Sequence, residues 1–181
     1  KPKVYPQGKS FSMNIRILNS KPKSTMSNKK LDIGNVLVIG DTHLPFEKDG
    51  YLDFCLDLQE KYRCGTVVHI GDEIDNCAIS KYTKDPDGFS AGSEAEQALK
   101  KIKDWYKAFP STQVVIGNHS NRMFRLAHEA GIPKKMIKTY EEIWDAPRGW
   151  RWAESYNIFG VHYVHGTGVS GPNAALKIAI Q

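Results

Sequence analysis

Between Asn35 and Ile116 short aliphatic runs alternate with longer amphipathic stretches. Val36–Ile39 is a continuous apolar run closed by Gly40, the pattern of a strand buried on both faces. Tyr51 to Tyr62 follows, with Leu52, Cys55, Leu58 and Tyr62 at helical spacing. Thr66–Ile70 is a second β-branched run, again closed by glycine. Lys81–Gly92 is polar, contains Pro and Gly, and is expected to be a loop. Ser93 and Glu96 have the spacing of a capping box, in which each satisfies an exposed N–H of the helix start. Ala95, Leu99, Ile102, Tyr106 and Phe109 would line the apolar face of that helix, and Pro110 would stop it. Gln113–Ile116 reads as a third buried strand. Asn121–Glu129 and Pro133–Glu142 read as helices, Arg151–His165 as two strands around Asn157–Gly160, and Asn173–Gln181 as the start of a helix. This order predicts an α/β fold with an at least partly parallel sheet, whose ligands sit beyond the carboxyl ends of the strands.

The 181 residues suggest one domain. Apolar residues at 40 % and charged residues at 25 % exclude a wholly disordered or fibrous chain. No apolar run approaches the roughly 18 residues of a membrane span, so no membrane association is expected. The N-terminus has charge but lacks a signal peptide's apolar core, and it opens on Lys1 rather than Met, as a trimmed chain would. Three cysteines, Cys55, Cys64 and Cys77, are an odd number without paired metal-finger spacing, which fits a reducing cytoplasm. The net charge is +5, but residues 1–31 carry eight basic side chains and no acid, which leaves 17 basic and 20 acidic elsewhere. Residues 1–32 therefore read as a basic flexible tail, with one short strand at Ser12–Leu18, ahead of a mildly acidic domain at 33–181. The tail Lys1–Lys30 is either a solvated arm or a contact for nucleic acid or another acidic surface.

The candidate chemistry lies at the strand ends. The first run ends Gly-Asp41-Thr-His43, the second Gly-Asp72-Glu-Ile-Asp75, the third Gly-Asn118-His119, and a later strand ends at His165 before Gly166. At least four strand ends would thus present Asp, His or Asn to one sheet edge. Carboxylate, imidazole and amide oxygen suit divalent cations such as Mn, Fe, Zn or Mg. Two cations about 3.5–4 Å apart need a bridging carboxylate and terminal ligands, and they acidify a shared water and neutralise phosphoryl charge. Each preceding glycine lets the backbone turn sharply and phosphate approach.

These residues make the chain resemble the calcineurin-like metallophosphoesterase superfamily over about Asn35–Gln181. Asp41-Thr-His43-Leu-Pro-Phe46 and Gly117-Asn-His119-Ser-Asn-Arg122 are similar to a subgroup common in bacterial and viral genomes. The resemblance implies a four-layer α-β-β-α sandwich with two facing mixed sheets. It implies a phosphodiesterase or phosphatase that attacks with a hydroxide bridged by two divalent ions, manganese first, with iron, zinc, magnesium or nickel as alternatives. Asp41 and His43 would bind the first metal, Asp72 would bridge, and Asn118 and His165 would bind the second. His119 would be the acid or transition-state stabiliser, with Asp75 in support.

Three departures stand out. Ser120 occupies a position often held by an acid, so another group, such as a water, would orient His119. Asn76-Cys77 replaces the Arg-Gly of protein Ser/Thr phosphatases and argues against that branch. The final Gly-His-x-His is absent, as in a C-terminally truncated domain. That absence and the basic tail keep an alternative open: a non-catalytic phosphate- or nucleic-acid-binding module on the same scaffold. Arg122, one helical turn after His119, is either a bidentate phosphate fork or a surface salt-bridge partner. His69 reads as a packing residue, His128 as exposed, His162 as a non-ligand and Glu73 as a surface acid. His165 has a second reading as a satisfied core histidine. Trp144, Trp150 and Trp152 read as core or lid packing, with a substrate wall as the alternative. The sequence says nothing about the oligomeric state.

Overall fold

A computed structural model describes residues 31–168, 173, 176 and 177. The expected tail strand at Ser12–Leu18, the tail's partners, and nearly all of the helix expected at Asn173–Gln181 lie outside the described residues.

Four strands form a parallel sheet in the order β1 (Asp32–Ile39), β2 (Cys64–His69), β3 (Thr112–Val115) and β4 (Trp150–Ala153). Helix α1 (Tyr51–Tyr62) crosses from β1 to β2, and α2 (Ala91–Ala108) from β2 to β3. Helix α3 (Arg122–Glu129) and the single turn α4 (Tyr140–Ile143) lie between β3 and β4. A separate antiparallel hairpin joins β5 (Tyr156–Ile158) to β6 (Val161–Tyr163). The fold is therefore mixed α/β with a four-stranded parallel sheet.

Neighbour-to-neighbour crossovers of one hand stack their helices on a single face of a sheet. The core follows that rule. Ile39, His69, Val114 and Trp152 are register partners across the four strands. That row, with Leu37, Val67 and Trp150, faces Ile102, Trp105, Tyr106 and Phe109 in one apolar cluster around α2. Hence β1 is not buried on both faces, as its apolar run suggested: Leu37 and Ile39 are buried, whereas Val38 between them is 47 % exposed. His69 is 1 % exposed within the same row, a packing residue as expected. Trp144 and Trp150 are core residues.

Three local expectations are corrected. Helix α2 starts at Ala91, where the Ser90 hydroxyl accepts the Ser93 N–H at 3.2 Å, so Ser90 is the cap and Ser93–Glu96 is no capping box. Its apolar face is broader than expected: Ile102, Tyr106 and Phe109 are buried and Leu99 packs against the core, and Ala98 and Trp105 join them. Pro133–Glu142 is not one helix. A 3-10 turn at Lys134–Met136 ends in extended backbone, and Thr139 with Glu142 builds a fresh capping box for α4. Finally, Arg151–His165 holds parts of three strands, because β4 leaves the hairpin to join the parallel sheet.

Candidate metal centre

Asp41 and His43 follow β1, Asp72 and Asp75 follow β2, and Asn118 and His119 follow β3. His165 comes from the segment after β6, so only three of the contributing strand ends belong to the parallel sheet. The first two loops are tied to each other: the His43 N–H donates to Asp72 O at 3.0 Å, Leu44 N–H to Glu73 O at 2.9 Å, and Asp75 N–H to Leu44 O at 2.9 Å. This pairing extends the β1–β2 ladder past the sheet edge and fixes the heights of Asp41, His43, Asp72 and Asp75.

Asp41, His43 and Asp72 have φ of 35°, 48° and 53°. Non-glycine residues rarely occupy that region, and such backbone concentrates at functional sites. Two glycines make room. A Cβ on Gly117 would lie 2.1 Å from Asp72 Oδ1, and one on Gly71, at φ 103°, would lie 2.7 Å from His165 Nδ1.

Asp41, Asp72 and His165 offer ligand atoms within 4.8 Å of one another, a grouping that could hold a cation. Asp72 Oδ1 accepts the His119 backbone N–H at 2.7 Å, which aims the carboxylate. The His165 ring bonds Ile70 O through Nδ1 at 2.7 Å, so Nδ1 carries the proton. Its Nε2 then faces two oxygens, Asn118 Oδ1 at 3.0 Å and Asp72 Oδ2 at 3.2 Å. A lone pair aimed at two acceptors is unfavourable unless positive charge sits between them. In the protein alone a proton supplies it: the Asp72 hydrogen bond, working against burial, lifts the His165 pKa to about 9. Burial tends to raise Asp72, but bonds from His165 and the His119 N–H outweigh it and hold its pKa below the ordinary value. The donor set of carboxylates, imidazole and amide oxygen therefore fits a divalent cation.

His43 falls elsewhere, in a second group with Asp75 and His119. One oxygen, Asp75 Oδ1, takes both His43 Nδ1 and His119 Nδ1 at 2.8 Å, and the two rings meet edge to face at 4.5 Å. These bonds hold Asp75 below the usual carboxylate range despite its burial. Each ring thereby presents Nε2 as its unprotonated nitrogen, the arrangement by which a carboxylate prepares a histidine for a metal. Asp75 thus supports both rings, and it supplies the orientation of His119 that a water was expected to give.

Arg122 makes no ion pair among the described residues, and its side chain is turned onto the loop after β2. Its guanidinium donates to Asp75 O at 2.8 Å and Asn76 O at 3.1 Å, and meets His119 Nε2 at 2.9 Å. Helix α3 begins at Arg122, three residues past His119, so its side chain curls back over the preceding loop.

Glu73 is corrected too. It is 1 % exposed, not a surface acid. Ser120 Oγ donates to its Oε2 at 2.7 Å and Trp152 Nε1 to its Oε1 at 2.9 Å. Burial raises its pKa, and those two bonds recover only part of the shift. Glu94, also missed, is 2 % exposed and accepts the N–H groups of Cys77 and Ala78 at 2.8 and 2.7 Å. Asp75, Cys77 and Glu94 form a third grouping. Burial, then the Asp75 and Glu94 carboxylates, push the Cys77 thiol up to about 12, so it is no thiolate nucleophile or ligand at neutral pH. His162 is exposed and bonds Asn157, and His128 is exposed, as expected for non-ligands.

Comparison of the chain with family models, curated proteins and solved structures returned no match. Among the described residues no helix is long and apolar enough to cross a membrane.

Proposed function

We propose that this chain is a divalent-metal-dependent phosphoesterase on a calcineurin-like scaffold. The observation that carries the reading is the convergence of Asp41, Asp72 and His165, with His165 Nε2 set against Asn118 Oδ1 and Asp72 Oδ2. Asp41, Asp72, Asn118 and His165 hold one cation, and His43, its Nε2 exposed by the bond to Asp75, serves a second. Such ions, manganese first, neutralise phosphoryl charge and acidify water. The four-layer sandwich belongs to the same proposal. Support for it comes from Val38 and Val161, about half exposed on the described surface, where a second sheet would find an apolar partner.

The chain's own groups do the rest. Asp75 fixes the proton of His119 on Nδ1, and Arg122 donates to Nε2. His119 and Arg122 thus form one unit beside the cation ligands. Arg122 is anchored through two carbonyls and keeps its charge at every working pH. A phosphoryl oxygen competing for the guanidinium frees Nε2, and His119 would there take the proton that the attacking water loses and pass it to the leaving oxygen.

The test is hydrolysis of bis-p-nitrophenyl phosphate and p-nitrophenyl phosphate with added Mn²⁺, with EDTA as control. The parent is expected to cleave at least one ester, and EDTA to stop it. Asp72→Asn is expected to lose Mn²⁺ binding and hydrolysis together. His119→Ala should keep Mn²⁺ and lose about 10²–10⁴ in rate, the usual worth of a placed acid or base. Binding of Mn²⁺ with cleavage of neither ester would overturn the proposal in favour of a phosphate-binding module.

A further inference from the structure

Beside His43 opens a cavity of about 520 Å³, lined by His43, Phe46, Asp75, Asp85, Asp87 and Phe89. It shares His43 and Asp75 with the metal centre, so a ligand in it would adjoin a phosphoryl group held there. Phe46 and Phe89 lie 5.8 Å apart with planes 33° from parallel, and both are about half exposed. Phe46 comes from the loop after β1, and Phe89 from the polar loop before α2. The two rings thus stand half exposed in one wall of the cavity, open to a ligand. Asp85 accepts the Asp87 N–H at 3.0 Å and the Gly88 N–H through its carbonyl at 3.0 Å, which sets this loop's turn. Among the described residues no Lys or Arg lines the cavity.

The lining therefore combines aromatic faces with carboxylates. A phosphate-rich polymer would bring further anions against Asp85 and Asp87. A cationic ammonium matches both features, because ring faces and carboxylates each attract positive charge. We propose that this cavity is a subsite for an ammonium-bearing alcohol, so that the substrate is a phosphoester with one phosphate next to a cationic amine. The choice of ester rests on the phosphoesterase reading; the cation selectivity of the cavity does not.

The test separates the two. Choline chloride and its uncharged isostere 3,3-dimethylbutan-1-ol are titrated calorimetrically into the chain and into Asp85→Asn/Asp87→Asn. Both changes lie on an exposed loop, so folding is expected to persist, and circular dichroism checks it. Choline should bind the parent at least tenfold more tightly than the isostere, and the double variant should lose that preference. Phe89→Leu should weaken choline by a smaller factor. Equal binding of choline and isostere, or an unchanged preference in the double variant, would overturn the proposal. In parallel, p-nitrophenyl phosphocholine is compared with p-nitrophenyl 3,3-dimethylbutyl phosphate in the presence of Mn²⁺. A lower KM for the choline ester, lost in the double variant, supports the subsite. If choline is preferred in the titration yet neither ester nor bis-p-nitrophenyl phosphate is cleaved, the cavity stands and the catalytic reading falls. If bis-p-nitrophenyl phosphate is cleaved and choline shows no preference, the reverse holds.

Discussion

Glu73→Ala tests the buried contact that joins the loop after β2 to β4. Glu73 accepts the Trp152 indole N–H and the Ser120 hydroxyl in a site 1 % exposed. The hydroxyl can rotate to another acceptor, but the indole cannot, because its ring lies 6.2 Å from Tyr140 in a stack and 5.8 Å from Trp150. A buried donor left without an acceptor costs about 1–3 kcal/mol. The lost methylene adds about 0.8 kcal/mol. Removing a buried carboxylate offsets part of this, so the expected loss is about 2–3 kcal/mol. Glu73→Gln behaves differently. The amide oxygen accepts from Trp152, the amide nitrogen donates to Ser120 Oγ, and both contacts survive without charge. Burial raises the Glu73 pKa, so the stability its protonated form supplies is complete below the unfolded value of 4.5 and is lost as pH rises through the folded one. Gln has no such loss. Glu73→Gln should therefore match or exceed the parent at pH 8, with the advantage shrinking toward pH 4. Urea unfolding in EDTA, followed by tryptophan fluorescence and extrapolated linearly, measures both variants. A loss under about 0.5 kcal/mol for Glu73→Ala, or equal losses for the two variants at pH 8, would refute the reasoning.

Three further outcomes follow from particular contacts. Gly117→Ala places a Cβ 2.1 Å from Asp72 Oδ1 and 2.4 Å from its backbone nitrogen. It should cost about 1–3 kcal/mol and weaken Mn²⁺ affinity in a titration, since relief requires moving Asp72 itself. Burial lowers the His69 pKa to about 3, and its Nδ1 already accepts the Gly71 N–H, so the folded chain resists a proton that the unfolded chain takes up near 6.5. Its contribution is present above pH 6.5 and is lost as pH falls toward 3; His69→Gln should flatten that limb of a stability–pH curve measured by urea melts. Arg122→Ala removes a cation whose bonds reach the carbonyls of Asp75 and Asn76 and the His119 ring. It should lower kcat more than it changes Mn²⁺ affinity, and a loss of Mn²⁺ equal to that of Asp72→Asn would contradict its separation from the cation ligands.

The parts of the molecule legible in the sequence are those written locally. β1, β2 and β3 are each a short aliphatic or β-branched run followed by its own glycine, and α1 has its own helical period, so their order and parallel direction could be read; nothing in Trp150–Ala153 marks β4 as their fourth neighbour. The ligand types were legible because the same chemistry recurs after three strands. What could not be read depends on what the chain brings back from far away. Nothing in Val36–Ile39 says that Val38 will stand exposed between the buried Leu37 and Ile39. Glu73 looks like a surface acid until Trp152, 79 residues later, descends on it from β4. Arg122 had two plausible roles, and neither allowed for carbonyls 46 and 47 residues earlier in the chain. The grouping of the ligands belongs to the same class. Asp41 and His43, two residues apart and both at positive φ, fall in two different groupings, one with Asp72 and His165, the other with Asp75 and His119. A motif specifies which atoms can bind a metal, whereas the backbone turn under each residue decides which of them meet. For that reason Gly71 and Gly117, which clear space for His165 and Asp72, belong to the metal centre as much as the ligands do.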